Sequence, residues 1–294
     1  MKQAAEDARA GAGRPGEIEW AGRKLTPRRK QVIVAVDHGL PLDRVEGLER
    51  PLQVMRSLAS DPKVDGTIAS LGLLKTSARL GIDLSRMARI VTVDYVGFQT
   101  SGGSTFLSTR ELIVEPEAAE EVRAHAFKMF LNLYDDSDLL MRNIKDVERF
   151  VNAGGKLGIS TLVEVMFFGN RGFADPRTQA AVFARGCRLA MELGADAAKV
   201  PMIEDASAAA EAIEAVGIPT FVLGGARWES REALRAELCR IAALPVCGVM
   251  FGRNVWQTED IGRTVSDIAS VLRPGRTGSS QVGSSRRGAK RAAG

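Results

Sequence analysis

The sequence contains few of the residues that build disulfide frameworks or metal sites: its 294 residues include three cysteines and two histidines. Cys187, Cys239 and Cys247 lie in apolar runs without paired spacing, which predicts buried, reduced thiols in a reducing compartment. His38 and His125 are far apart, and neither has a cysteine or carboxylate at ligand spacing. We therefore expect neither a metal site nor an organic cofactor.

Long apolar segments and a strong excess of charge are also missing. No run approaches the roughly 18 apolar residues needed to cross a bilayer, and residues 1–16 lack the apolar core of a signal peptide. The net charge is +4, and residues 273–294 contribute six basic and no acidic residues to it. These features predict a cytoplasmic protein that binds neither membrane nor nucleic acid.

The two ends of the chain differ in composition from its middle. Residues 1–16 and 274–294 are small, polar and rich in turn-forming residues, with little apolar surface to offset the entropy of ordering. We predict disordered extensions at both ends, the second of them basic, around a single domain over residues 17–273.

Within that domain, short apolar runs alternate with longer amphipathic segments. Runs that are almost continuously apolar are typical of parallel strands covered on both faces. The eight candidate strands are Gln31–Asp37, Val64–Ser70, Arg89–Tyr95, Phe127–Tyr134, Ser160–Phe167, Ala195–Pro201, Pro219–Gly224 and Val246–Gly252.

Helical patterns separate these runs: Arg142–Ala153 stops at Gly154-Gly155, Pro176–Gly194 follows an N-cap at Asp175, and Ala206–Val216 and Glu259–Leu272 complete the set. Strand followed by helix, eight times, predicts an α/β fold with a single (β/α)8 TIM barrel. An open doubly wound sheet is the alternative. It needs a glycine-rich phosphate loop after the first strand, where the sequence has Asp-His-Gly-Leu-Pro.

Catalytic groups of such barrels lie at the carboxyl ends of the strands. Asp37 ends the first run, on the face shared by Ile33 and Ala35, so we expect it to face the barrel interior and to transfer protons or anchor a hydroxyl. A carboxylate that only caps a turn is the alternative. His38 is expected beside it at the barrel mouth.

Lys199 and Glu164 lie inside the sixth and fifth apolar runs. A lysine buried there is expected to titrate toward its neutral, nucleophilic amine, which can form a Schiff base with a carbonyl substrate. A buried Glu164 needs a cation beside it or a place in the solvated mouth of the barrel, and Lys199 on the neighbouring strand could supply that cation. The alternatives are a lysine that extends out of the strand end and an ion pair without catalytic function. Lys128, whose neighbours Phe127, Met129 and Phe130 are bulky, ranks next as a nucleophile, followed by Lys75.

Glycines follow the last two strands. Gly224 and Gly225 come after the seventh, and Gly252 and Arg253 after the eighth, the two loops that bind phosphate in many barrels. Arg253 adds a donor pair for a phosphate. Ordinary turn glycines are the alternative.

The segments Asp37-His38-Gly39, Gly194–Lys199, Leu223-Gly224-Gly225 and Gly252–Gln257 resemble the archaeal-type class I fructose-bisphosphate aldolases of the DeoC/FbaB/LacD superfamily. The resemblance implies Lys199 as the Schiff-base lysine and Asp37 as the carboxylate beside the substrate hydroxyls. It also implies a phosphorylated substrate and a homo-oligomer.

One position departs from that family, which has a catalytic tyrosine at the end of strand five where this sequence has Phe167. Residues 96–103 are also unusual for the family. We therefore expect a metal-independent lysine aldolase of carbohydrate metabolism that acts on a small, phosphorylated keto or aldehyde substrate, with Glu164, His38 or a water as the proton donor. A transaldolase- or thiolase-type transferase and a sugar-phosphate-binding barrel without turnover are the alternatives.

Overall fold

The computed structural model describes residues 18–41, 45–101, 104–133, 137–167 and 175–274. The predicted extension over residues 1–16 lies outside these ranges, as does all but the first residue of the predicted tail. The strands are β1 (Glu19–Trp20), β2 (Arg23–Lys24), β3 (Gln31–Ala35), β4 (Gly66–Ser70), β5 (Ala88–Thr92), β6 (Asp94–Ser101), β7 (Ser104–Leu112), β8 (Ala126–Asn132), β9 (Ser160–Met166), β10 (Ala197–Val200), β11 (Thr220–Leu223) and β12 (Gly248–Phe251).

Eight of these strands form a closed parallel barrel in the order β3-β4-β5-β8-β9-β10-β11-β12, and β12 pairs with β3 to complete the circle. The predicted barrel is confirmed. Its helices are α1 (Pro51–Ser60), α2 (Leu71–Arg79), α3 (Ser137–Leu157), α4 (Pro176–Glu192), α5 (Ala206–Val216), α6 (Arg231–Ala243), α7 (Arg253–Trp256) and α8 (Ile261–Leu272).

The expected alternation of strand and helix fails after β5. There β6 and β7 pair as an antiparallel hairpin, and the 3-10 helix Pro116–Val122 follows it. The predicted strand Arg89–Tyr95 thus spans both the end of β5 and the start of the hairpin. In the sequence Gly102-Gly103 separates the two strands, a pair typical of two-residue hairpin loops.

The predicted end of α3 at Gly154-Gly155 is also wrong, because the helix continues to Leu157. A Cβ on Gly154 would lie 2.3 Å from the Ile159 carbonyl oxygen, so this glycine lets the helix approach the start of β9. Gly158, with φ +68°, then reverses the chain. Glycine here serves close packing inside a helix.

The predicted N-cap at Asp175 is confirmed. Asp175 caps α4 by accepting hydrogen bonds from the amides of Arg177 and Thr178. Gly217 ends α5 with φ +72°.

Side chains alternate across the barrel wall as the first run predicts. Val32, Val34 and Val36 belong to the outer core between strands and helices, whereas Ile33 and Ala35 belong to a separate inner cluster. That inner cluster is apolar and is closed at the amino ends of the strands by Trp20, whose ring stacks on Phe221 with centroids 5.7 Å apart. The charged side chains Asp37, Lys128, Glu164 and Lys199 lie beyond this apolar cluster, toward the carboxyl ends of the strands.

Among the described helices, none has the length and apolar character needed to cross a membrane.

Candidate active site

Three adjacent strands direct charged side chains into the barrel. Lys128 on β8, Glu164 on β9 and Lys199 on β10 all lie on the inward face, and Lys199 is the register partner of Glu164. Both lysine Nζ atoms lie 2.9 Å from Oε2 of Glu164. One carboxylate oxygen therefore joins two ammonium groups, and the predicted pairing of Glu164 with Lys199 is present.

Asp37 extends this cluster from the opposite wall. It starts the 3-10 helix Asp37–Gly39 directly after β3, and its Oδ2 lies 3.4 Å from Nζ of Lys128. The same oxygen accepts a hydrogen bond of 2.7 Å from the Thr92 hydroxyl, and Thr92 is the register partner of Lys128. Lys199, Glu164, Lys128 and Asp37 form what we call the charge quartet, with two charges of each sign.

The charge quartet holds Asp37, Glu164 and Lys128 in their ionised forms. Burial alone would raise the pKa values of Asp37 and Glu164, but Lys128, with Lys199 and other neighbours, outweighs burial and holds both below their ordinary values. Burial likewise favours a neutral Lys128, yet Glu164 and Asp37 hold its pKa above the ordinary value. Lys128 is thus a stable cation that keeps two carboxylates charged.

The two lysines differ in their surroundings. Lys128 is 1% exposed, contacts two carboxylates and has its Nζ 3.5 Å from the centroid of the Phe130 ring. Lys199 is 6% exposed and pairs with Glu164. The structure therefore places Lys199 in the ion pair with Glu164 that the sequence analysis describes. Lys75 lies on α2, pairs with Glu121 and is remote from the charge quartet.

His38 lies beside Asp37, as predicted, with Nδ1 3.6 Å from Oδ1 of the carboxylate. Burial lowers the pKa of His38 more than Asp37 raises it, so the ring is neutral at pH 7. Its edge meets the ring of Trp256, whose indole nitrogen donates to the Ala35 carbonyl. A Cβ on Gly252 would lie 2.4 Å from Cε1 of His38. Gly252 is thus required for the seating of His38.

Asn254 joins the two glycine-bearing loops. Its Nδ2 donates to the carbonyls of Gly224 and Ala226, and its Oδ1 accepts from the amide of Trp228. Gly225 has φ +62° and open space where a Cβ would be. The sequence interpretation missed Asn254, although it lies inside the motif used to recognise the family.

Arg253 begins α7, directly after Gly252, and is half-buried. Burial lowers its pKa, and within the described part of the chain its buried Nε atom has no hydrogen-bond partner. A guanidinium with an unused donor at this end of the barrel suits an anionic ligand.

Phe167 follows β9 and packs against the outer core, outside the barrel. The position taken for the family tyrosine therefore does not face the charge quartet. On the inward face of the same strand lies Glu164, one of the proton donors that the sequence offers in place of the tyrosine. His125 lies between the 3-10 helix Pro116–Val122 and β8 and accepts a hydrogen bond from the Arg89 amide.

Across the residues that the structure describes, no three histidine, cysteine or carboxylate side chains are grouped so as to hold a metal ion.

Comparisons with known proteins identify the family of this chain. The pattern of DeoC/LacD family aldolases matches residues 31–258. The chain belongs to the DeoC/LacD aldolase family. The family expected from the motifs is thus confirmed.

Two relatives illustrate the range of this family. A class 1 fructose-bisphosphate aldolase of Thermoproteus tenax is 23% identical over 260 residues, covering 86% of this chain and 94% of that protein. A 3-hydroxy-5-phosphonooxypentane-2,4-dione thiolase of an Enterobacter species is 26% identical over 251 residues, covering 83% and 78% respectively.

A solved structure shares the fold of this chain. The structure of a Schiff-base-forming fructose-1,6-bisphosphate aldolase superposes with a TM-score of 0.71 at 21% identity, over 83% of this chain and 95% of that one.

Replacing Lys128 by Met tests the electrostatic role of this lysine. Because the folded pKa values of Asp37 and Glu164 are lowered, their ionisation stabilises the fold above the unfolded pKa of about 4, and this stability is lost as pH falls below it. Without Lys128 the folded pKa values rise, so the acid loss begins at higher pH. We also expect a loss of about 3–5 kcal/mol at pH 7.

The measurement is denaturant unfolding between pH 3 and pH 8. Lys75→Met, which removes an exposed ion pair with Glu121, is the control and should stay within about 0.5 kcal/mol of wild type. Superimposable pH profiles for Lys128→Met and wild type would contradict the assigned role.

Proposed function

We propose that this protein is a class I aldolase in which Lys199 forms a Schiff base with a small, phosphorylated keto or aldehyde substrate. The observation that carries the proposal is the difference between the two lysines on Glu164. Lys128 is enclosed by Asp37, Glu164 and Phe130, whereas Lys199 contacts one carboxylate and is the more exposed of the two. A nucleophile must be able to lose a proton and reach a carbonyl carbon, and Lys199 meets both requirements better.

Glu164 supplies the proton transfers of Schiff-base formation. It accepts a proton from the Lys199 ammonium over 2.9 Å, and the free amine attacks the carbonyl carbon to form the N–C bond. The carbonyl oxygen takes one proton from the attacking nitrogen and a second from Glu164, and the C–O bond then breaks to release water. The balance is one ammonium and one carbonyl in, one iminium and one water out. This role requires no tyrosine hydroxyl.

Asp37 acts on the substrate hydroxyl next to the bond that breaks. The lowered pKa of Asp37 keeps its carboxylate ionised, and the Thr92 hydroxyl fixes the orientation of one of its oxygens. As the hydroxyl proton moves toward Asp37, the C–C bond breaks and its electron pair flows to the iminium, giving an enamine and a free aldehyde. His38, neutral beside Asp37, contributes a hydrogen bond to the substrate.

The anionic end of the substrate binds at the loops after β11 and β12. Two groups support this placement: Arg253, whose buried Nε is an unused donor, and the backbone of Gly224, Gly225 and Gly252. Asn254 holds the first loop against the second, which gives the amides a fixed spacing. The phosphorylated substrates named for the relatives support the same assignment.

A transferase reaction is the second candidate, favoured by the thiolase among the relatives. It would pass the carbon fragment from the Lys199 adduct to an acceptor, so turnover would depend on that acceptor. A barrel that binds without turnover has less support, since Glu164 supplies the acid/base group that Phe167 does not. Homo-oligomerisation, a cytoplasmic location and a place in carbohydrate metabolism stay predictions.

Reductive trapping tests the nucleophile. The protein is treated with borohydride and each of a panel of phosphorylated carbonyl compounds, starting with dihydroxyacetone phosphate, and its peptides are mapped by mass. We expect the adduct on Lys199 and none in Lys199→Met, because only a lysine imine is reduced to a stable amine. An adduct that persists in Lys199→Met, or its absence from wild type with every compound, would overturn the proposal.

Replacing Arg253 by Met tests the phosphate site. Losing one charged hydrogen bond should raise KM for a phosphorylated substrate by about 10- to 100-fold. The corresponding dephosphorylated compound serves as the matched control and should react equally with both proteins. Steady-state kinetics make the comparison, and equal KM values for the phosphorylated substrate would refute the assignment.

A further inference from the structure

Two ammonium groups at equal distance from one carboxylate oxygen pose a problem of selectivity. Lys128 and Lys199 both lie 2.9 Å from Oε2 of Glu164, so the distance to the base does not decide which of them reacts. The two lysines differ in that an aromatic ring lies over the Nζ atom of Lys128. Phe130, two residues further along β8 and on the same inward face, places its ring 3.5 Å from the Lys128 Nζ.

The backbone of Phe130 is fixed by an unusual arrangement. Val93 donates its amide to the Lys128 carbonyl, but the Val93 carbonyl, the regular ladder acceptor for the Phe130 amide, is bonded to the Ile113 amide. The chain has left the barrel there to enter the β6–β7 hairpin. The Phe130 amide instead donates to Oδ2 of Asp94 over 2.8 Å.

Asp94 is in turn held by groups from the hairpin and from α3. It is 1% exposed and accepts a hydrogen bond of 2.9 Å from Nε of Arg110 on β7. Arg110 also donates to Asp146 on α3 through Nη1, over 2.5 Å. On the other side of Phe130, its carbonyl accepts from Nδ2 of Asn143. The strand end that carries the ring is therefore fixed from two directions.

We infer that Phe130, positioned by Asp94, covers the Lys128 ammonium and directs carbonyl substrates to Lys199. The ring blocks approach to Nζ of Lys128 from above, while Glu164 and Asp37 occupy its other sides. This inference rests on the proposed Schiff-base function. It gives the hairpin, which replaces the expected helix after β5, a part in choosing the nucleophile.

Two variants remove the cover in different ways. Phe130→Ala deletes the ring, and Asp94→Ala deletes the acceptor of the Phe130 amide. Each protein is reduced with borohydride in the presence of dihydroxyacetone phosphate, and adducts at both lysines are quantified by peptide mapping. We expect the share of adduct on Lys128 to rise by about tenfold or more in both variants, with Lys199 still labelled.

The controls separate positioning from loss of structure. Asp94→Asn keeps an oxygen that can accept from the Phe130 amide and should restore the wild-type distribution. Asp146→Asn removes the outer ion pair only and should leave Lys128 unlabelled. If an alanine variant does not fold by circular dichroism, Phe130→Leu replaces it, and Lys128 labelling above wild type is still expected because the ring face is lost.

The results that would contradict the covering role differ from those that would contradict the proposed function. Labelling confined to Lys199 in every folded variant would overturn the covering role and leave the proposed function standing. A wild type that gives no adduct at Lys199, with this compound or any of the panel, would instead overturn the proposed function.

Discussion

The organisation of the active site depends on Oε2 of Glu164, which lies 2.9 Å from two lysine ammonium groups. A buried carboxylate in this position is tolerable only with cations beside it, and two adjacent cations are tolerable only with a carboxylate between them. Asp37 completes the balance on the far side of Lys128. The charge quartet is neutral overall, so one proton can move between Lys199 and Glu164 without leaving an unpaired charge in the barrel.

The barrel provides two different interiors for this arrangement. Below the charge quartet, apolar residues fill the amino half, and Trp20 of the β1–β2 hairpin closes it against water. Above it, the loops after β11 and β12 are joined by Asn254 and carry Arg253. The hairpin after β5 adds a third support, because Asp94 takes over the hydrogen bond that the ladder no longer supplies to β8.

Local patterns predict the members of this site from the sequence. Alternation along the first run places Asp37 on its inward face, and Glu164 and Lys199 stand out as charged residues inside apolar runs. Lys128 was ranked second because its neighbours are bulky, and the same bulk, in Phe130, is what covers it. The pairing of both lysines with one oxygen depends on register between strands distant in sequence, which no local pattern records.

Two other predictions from the sequence were wrong for related reasons. The predicted strand Arg89–Tyr95 included the start of the hairpin after β5, and Phe167 was matched to a tyrosine by position along the chain although it faces outward.

The most direct test of the role of Glu164 is the rate of Schiff-base trapping in Glu164→Gln. We expect an adduct on Lys199 that forms about 10²- to 10⁴-fold more slowly than in wild type, because glutamine keeps the shape of the side chain but cannot transfer the proton. An unchanged rate would show that Glu164 does not serve Lys199.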